Sequence, residues 1–185
     1  MIIDANRNSL LAKESHGRTP LHIVFLEESV CMDVLKLLLQ DAIQNGLRYR
    51  AAMVEDNLGK LPLPFACENG ITNKPELASL MEAHPMRIIA TDSKGRSPLH
   101  ALFLNKKVAK SVSVATALAL LAGHGNFDRQ CTVKLEDEYL SLPIHYAVKN
   151  GAASDVIAVL IETQPEKKMA RVDTFFIFHN FVSLI

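Results

Sequence analysis

The feature that most constrains this chain is a short proline-containing segment that occurs four times in the same register. The segments are Gly17–His22, Gly59–Pro64, Gly95–His100 and Leu140–His145, which read GRTPLH, GKLPLP, GRSPLH and LSLPIH. Their prolines are 42, 36 and 45 residues apart. Repetition at such intervals is typical of proteins in which small units stack and bury a continuous core between neighbours. The sequence therefore predicts an array of about four similar units.

Each unit is predicted to contain a pair of helices. A proline at the first helical position costs no hydrogen bond, and Thr19 or Ser97 just before it can cap the helix. Gly70 and Gly151 are placed to end first helices. Apolar residues at helical spacing indicate second helices, with Val30, Val34, Leu37 and Leu38 in the first unit and Val156, Val159 and Leu160 in the fourth. No β-rich stretch stands out, so the predicted fold is an all-α solenoid.

These segments resemble the ankyrin repeat, whose signature G-x-T-P-L-H-x-A is followed by two antiparallel helices. The matching residues are Thr19, Pro20, Leu21, His22, Pro62, Leu63, Ser97, Pro98, Leu99, His100, Pro143, Ile144 and His145. The resemblance implies that the motif histidine hydrogen-bonds the backbone of neighbouring turns. The units depart from the family in exceeding its usual length of about 33 residues. Leu140 also replaces the turn glycine of the fourth unit, and Pro64 replaces the histidine of the second.

The predicted organisation has three parts. Residues 1–16 are expected to end a partial preceding repeat, and residues 17–172 to form four ankyrin-like repeats that start near 17, 59, 95 and 140. Residues 173–185 carry Phe175, Phe176, Phe178 and Phe181 in place of the motif. This segment is either an apolar cap that folds back or a truncated fifth repeat of a longer protein.

The candidate chemical groups favour structural roles. His22, His100 and His145 share one repeat position, and the other histidines have no metal-ligand spacing. Gly123–Asn126 follows the apolar run 108–122, which predicts one buried second helix that ends there, and not a phosphate loop. Glu136, Asp137 and Glu138 are expected to form a solvated acidic face. We therefore predict a non-catalytic protein with no metal and no cofactor, although a hydrolase or metal protein using its histidines remains an alternative.

The composition narrows the possible partners and compartments. Twenty basic and twenty acidic residues give a net charge of zero, and tryptophan is absent, so nothing indicates nucleic-acid binding. No apolar stretch has the roughly 20 residues that span a bilayer. The three cysteines are widely spaced and odd in number, which favours a reducing intracellular compartment, cytoplasmic or nuclear. A monomer is expected.

These observations predict a function in protein–protein interaction. The resemblance implies binding along a concave face, where Arg18, Lys60 and Arg96 follow the turn in register and would form a positive stripe. The other predicted contact residues, at the ends of the first helices, are Glu27, Glu68, Asn69, Asn105 and Lys149. The predicted role is an adaptor or scaffold module. The alternative is the regulatory arm of a larger enzyme such as a kinase or ubiquitin ligase.

Overall fold

The computed structural model describes residues 9–26, 31–44, 51–71, 74–83, 89–122 and 129–163. Within these ranges the chain is helical and contains no strand, so the all-α prediction is confirmed. The helices are α1 (Pro20–Ile23, continued by a 3₁₀ turn, Val24–Leu26), α2 (Met32–Gln44), α3 (Pro62–Glu68), α4 (Lys74–Ala83), α5 (Pro98–Leu104), α6 (Lys106–Ser111), α7 (Val114–Ala122), α8 (Arg129–Val133), α9 (Pro143–Asn150) and α10 (Ser154–Thr163).

The helices form two layers that run through all four units. In the first layer α1 contacts α3, α3 contacts α5, and α5 contacts α9. In the second layer α2 contacts α4, α4 contacts α7, and α7 contacts α10. The helices of each pair also contact each other, as α3 and α4 do. A single apolar core therefore lies between the layers, and Phe25, Ala66, Leu102 and Ala147 of the first layer are completely buried in it.

The first helices begin and end where the sequence predicts. Each of them starts at a motif proline, and the Ser97 hydroxyl accepts a hydrogen bond from the His100 amide at the start of α5. Gly70 follows α3 and Gly151 ends α9, both with positive φ, which is the usual backbone conformation at a helix C-terminus. These two signals account for the lengths of α3 and α9, which have seven and eight residues, whereas α5, also of seven residues, ends at Leu104 because the following Asn105 caps α6.

The prediction of one helix over residues 108–122 is wrong, because α6 ends at Ser111 and α7 begins at Val114. Val112 adopts an extended conformation at the break. The Ser113 hydroxyl then accepts a hydrogen bond from the Thr116 amide, 3.2 Å away, and caps α7. A capping residue inside an apolar run competes with the helical backbone and here divides the run in two. The extra helix α6 contributes to the 45-residue spacing between the third and fourth prolines.

The buried face of α2 also differs from the prediction. Leu35 and Leu39 are buried, four residues apart, whereas Val34 and Leu37 are exposed. Leu38 is partly buried and packs against the core, so Leu35, Leu38 and Leu39 form the core-facing side of this helix. In α10, by contrast, Val156 and Leu160 are completely buried as predicted.

Several predicted segments lie outside the described residues, namely 1–8, Val30, 123–128 and the apolar tail 173–185. None of the described helices is long and apolar enough to cross a membrane.

Candidate protein-binding surface

A tight turn precedes the first helix of every unit, and an acidic side chain holds it. The Oδ1 atom of Asp56 accepts hydrogen bonds from the Leu58 and Lys60 amides, both at 2.8 Å. Asp92 and Asp137 make the same two contacts at 2.9 Å, with the amides two and four residues later. In the first unit Glu14 takes this position and accepts from the Arg18 amide at 3.2 Å. These carboxylates fix the shape of all four turns.

This acidic position was not among the predicted motif residues. An aspartate three residues before the turn glycine was the available signal in the second and third units. The prediction that Asp137 belongs to a solvated acidic face is wrong. The residue is buried, with 4% of its surface exposed. Its Oδ2 atom accepts a hydrogen bond of 2.5 Å from the Tyr146 hydroxyl. Burial alone would raise the pKa of Asp137, but hydrogen bonds from Tyr146 and two amides outweigh it and lower the pKa.

Neighbouring turns are joined by backbone hydrogen bonds. The Asn57 amide donates to the His16 carbonyl at 3.0 Å, and the Ser93 amide donates to the Leu58 carbonyl at 3.3 Å. The Glu138 amide completes the series by donating to the Lys94 carbonyl at 2.9 Å. The four turns therefore form one continuous edge along the array.

Four exposed side chains occupy equivalent places on this edge, and we call them the tip row: His16, Leu58, Lys94 and Tyr139. The exposed fractions are 68% and 49% for the His16 and Lys94 side chains, and 55% and 67% for Leu58 and Tyr139. Each residue stands immediately before the residue of positive φ in its turn. The row therefore presents two polar and two large apolar or aromatic groups on a hydrogen-bonded base.

The motif histidines make the backbone contacts that the family resemblance implies. The Nδ1 atom of His22 accepts from the Thr19 amide at 3.2 Å, and that of His100 accepts from the Ser97 amide at 3.1 Å. Since Nδ1 is an acceptor, Nε2 carries the proton and donates to the next turn, at 3.0 Å to the Lys60 or Ser141 carbonyl. Each histidine thus connects two units.

These histidines also pack against aromatic rings and are held neutral. The His22 ring meets Phe65 edge-on at 5.4 Å, and the His100 ring meets Tyr146 in the same way at 5.9 Å. Burial lowers the pKa of both His22 and His100. His145 makes the equivalent contact within its own unit, accepting from the Leu142 amide at 2.8 Å.

The predicted stripe of positive charge requires correction. Lys60 is buried and forms an ion pair with Glu68. Arg96 pairs with Asp92 at 2.7 Å, and only 15% of the Arg96 side chain is exposed. Although burial opposes its charge, the Asp92 carboxylate raises the pKa of Arg96. The residue after the turn glycine therefore reaches into the junction between units in these two cases, and its charge is compensated.

Arg18, at the same position in the first unit, differs from the other two. Its guanidinium lies over the Phe65 ring, 5.1 Å from the centroid. Its Nε atom is buried and has no hydrogen-bond partner in the described part of the chain. Arg18 is thus partly covered but not neutralised by an ion pair there.

The remaining predicted contact residues are spread along the ends of the first helices. Glu68 is partly buried in its pair with Lys60, and Asn69 is exposed with its amide on the Phe65 carbonyl at 2.9 Å. Asn105 is exposed and caps α6 by accepting from the Lys107 amide at 2.9 Å. Lys149 is exposed near the end of α9. Glu27 lies outside the described residues.

The described residues contain no group of three or more histidine, cysteine or acidic side chains placed to hold a metal ion. Cys67 is buried, and burial raises the pKa of its thiol to about 12, so it is not a reactive thiolate at neutral pH. The tip row is a surface of this part of the molecule on which exposed polar and apolar groups lie in register.

No protein-family model matches this sequence. The resemblance to ankyrin repeats is carried by the motif residues themselves.

Proposed function

We propose that this chain is an ankyrin-like repeat module that binds another protein and has no catalytic role of its own. The observation that supports this best is the continuous edge of hydrogen-bonded turns that holds the tip row. A surface held in one geometry loses little conformational entropy when a partner binds, so more of the contact energy appears as affinity. Leu58 and Tyr139 would supply the apolar anchors, while His16 and Lys94 would supply polar contacts.

The chemistry of the described residues is consistent with this role. The charged groups nearest the turns, Lys60, Arg96 and Asp137, are already engaged in ion pairs or hydrogen bonds within the chain. They stabilise the base of the edge, which leaves recognition to the exposed side chains above it. All three cysteines are free thiols, which fits an intracellular location in the cytosol or nucleus.

The experiment is affinity capture with three versions of the full chain immobilised as bait. The test bait is the double variant Leu58→Ser, Tyr139→Ser. The matched control is the double variant Leu37→Ser, Leu118→Ser. It also removes two exposed large apolar side chains, but these lie on second helices. Far-UV circular dichroism establishes that all three baits are folded, and mass spectrometry quantifies each captured protein.

We expect at least one protein to be captured equally by the wild type and the control but several-fold less by the tip-row variant. Equal capture by all three folded baits would contradict the proposed surface. A second-helix control that loses the partner while the tip-row variant retains it would assign binding to the other layer.

A further inference from the structure

The first unit has an apolar face that is less covered than the same face of the later units. Ile23 of α1 is 40% exposed, whereas the equivalent residues Phe65 and Ala101 are each 4% exposed, since a preceding unit packs against them. An open groove of about 520 Å³ lies at this end of the array, between α1 and α2. Its apolar lining includes Pro20, Ile23, Val24, Val34 and Leu38.

The fourth unit has the opposite face exposed at the other end. Val148 of α9 is half-buried, whereas its equivalents Phe25, Cys67 and Phe103 are completely buried. Ile161 of α10 is half-buried as well. Repeat arrays normally end in units with a polar outer face. Here the two end units present apolar side chains, in the positions that other units use to pack on each other.

The two end faces also carry the two halves of one hydrogen bond. Between the first and second units, the Nε2 atom of His22 donates to the Lys60 carbonyl at 3.0 Å. In the fourth unit the Nδ1 atom of His145 accepts from the Leu142 amide, so its Nε2 atom is again a donor, and it has no partner in the described part of the chain. The Arg18 carbonyl is equivalent to that of Lys60 and has no histidine donor among the described residues.

The backbone bonds between turns are divided between the ends in the same way. Within the array the Ser93 amide donates to the Leu58 carbonyl, 3.3 Å away. Ser15 is equivalent to Ser93 and Tyr139 to Leu58, and neither makes this bond within the described ranges. The first unit therefore offers a free donor and a free acceptor, and the fourth unit offers the matching acceptor and donor.

We propose that this chain associates head to tail with a second copy of itself, the fourth unit of one copy packing on the first unit of the next. The contact repeats the junction that the chain forms three times between its own units, so each end of the molecule is the complement of the other. A contact between two different faces extends into a chain of copies or closes into a ring. This self-association goes beyond the proposed binding of another protein and does not depend on the tip row.

Position 23 gives the sharpest test, because it faces His145 of the neighbouring copy in this arrangement. Inside the array the His22 ring meets Phe65, the equivalent of Ile23, edge-on at 5.4 Å. Ile23→Phe supplies the missing ring and should tighten association by about two- to tenfold. Ile23→Glu places a charge in an apolar contact and should abolish association. Leu118→Glu is the matched control, since Leu118 is 39% exposed but lies in the third unit, away from both ends.

Sedimentation velocity of the full chain and the three variants measures association over a wide range of concentration, with far-UV circular dichroism to establish folding. We expect the average mass of the wild type and of Leu118→Glu to rise with concentration. Ile23→Phe should reach the same mass at lower concentration, and folded Ile23→Glu should remain a single chain. A folded wild type that stays a monomer up to its solubility limit, the state expected from the sequence, would overturn the proposal.

A mixing experiment tests the direction of the contact. Fluorescently labelled Ile23→Glu should still bind the unlabelled wild type, because the fourth unit of the variant is intact and the first unit of the wild type is free. If the variant fails to bind the wild type as well as itself, two first units pair with each other and the head-to-tail arrangement is wrong.

A photo-reactive phenylalanine analogue at position 23 identifies what covers the groove. We expect crosslinks from one copy to α9 of another. Crosslinks within one chain, to residues 1–8 or 164–185, would show that the molecule covers its own end and would overturn the proposal. The capture experiment with the tip-row variant is independent of these outcomes, so the proposed binding function and the self-association fail or stand separately.

Discussion

Replacing Leu140 by glycine should stabilise the fold, and the size of the effect can be worked out from the structure. Leu140 has φ of 58°, and this left-handed conformation costs a leucine about 1–2 kcal/mol. The greater conformational entropy of glycine in the unfolded chain offsets about 0.4–1 kcal/mol of this gain. Little burial is lost, since the side chain is 68% exposed. The net gain is about 0.5–1 kcal/mol, or roughly 1–4 °C in Tm for a chain of this length.

Urea unfolding followed by far-UV circular dichroism measures this gain as a higher midpoint with an unchanged m-value. Gly95→Ala is the opposite control. Its backbone has φ of 73°, and a Cβ atom there would lie 3.2 Å from the Asp137 Cα atom. That variant should lose more than about 1 kcal/mol. If Leu140→Gly unfolds at the same or a lower urea concentration than the wild type, the assigned strain is refuted.

Three further predictions concern the turns and the junctions between units. Asp56→Ala leaves two amides without their acceptor, so it should lower the free energy of unfolding by about 2–4 kcal/mol in the same urea assay. A loss below about 1 kcal/mol would contradict the role of this carboxylate. Arg96→Gln removes the partner of a buried carboxylate and should lower the free energy of unfolding by about 2 kcal/mol. Arg18→Gln loses mainly a ring contact and should lower it by under about 1 kcal/mol. Equal losses would show that the two bases have the same environment. Burial lowers the pKa of His22 and His100, so the unfolded chain binds protons at higher pH than the folded chain. Their contribution to stability is complete above pH 6.5 and is lost as the pH falls below that value, so the urea midpoint should decrease from pH 7.5 to 5.5, and by less in the His22→Gln, His100→Gln double variant.

The first helices were predictable because their signals are local. A proline can start a helix but not continue one, and a glycine with positive φ ends it, so α3 and α9 follow from a few residues each. The all-α character follows from the same signals. The inter-unit bonds of His22 and His100 came from the family resemblance, since no local pattern says which backbone atom 38 or 41 residues away a ring will reach.

The functional surface was less predictable because it depends on side-chain direction. Lys60 and Arg96 share their register with Arg18, yet carboxylates neutralise the first two, whereas no carboxylate in the described part of the chain pairs with the third. Asp137 stands in an acidic run that looks solvated, but the adjoining turn buries it. These outcomes depend on three-dimensional neighbours, which the spacing of residues along the chain does not specify.

The central claim is that the four turns form one hydrogen-bonded edge that holds the tip row. Amide hydrogen exchange of the full chain, resolved by NMR, tests it directly at the Asn57, Ser93 and Glu138 amides, which join successive turns. The structure predicts that these three amides exchange far more slowly than the unstructured chain, with protection close to that of α3 and α5. Exchange at the rate of an unstructured peptide, with the helices still protected, would contradict the claim.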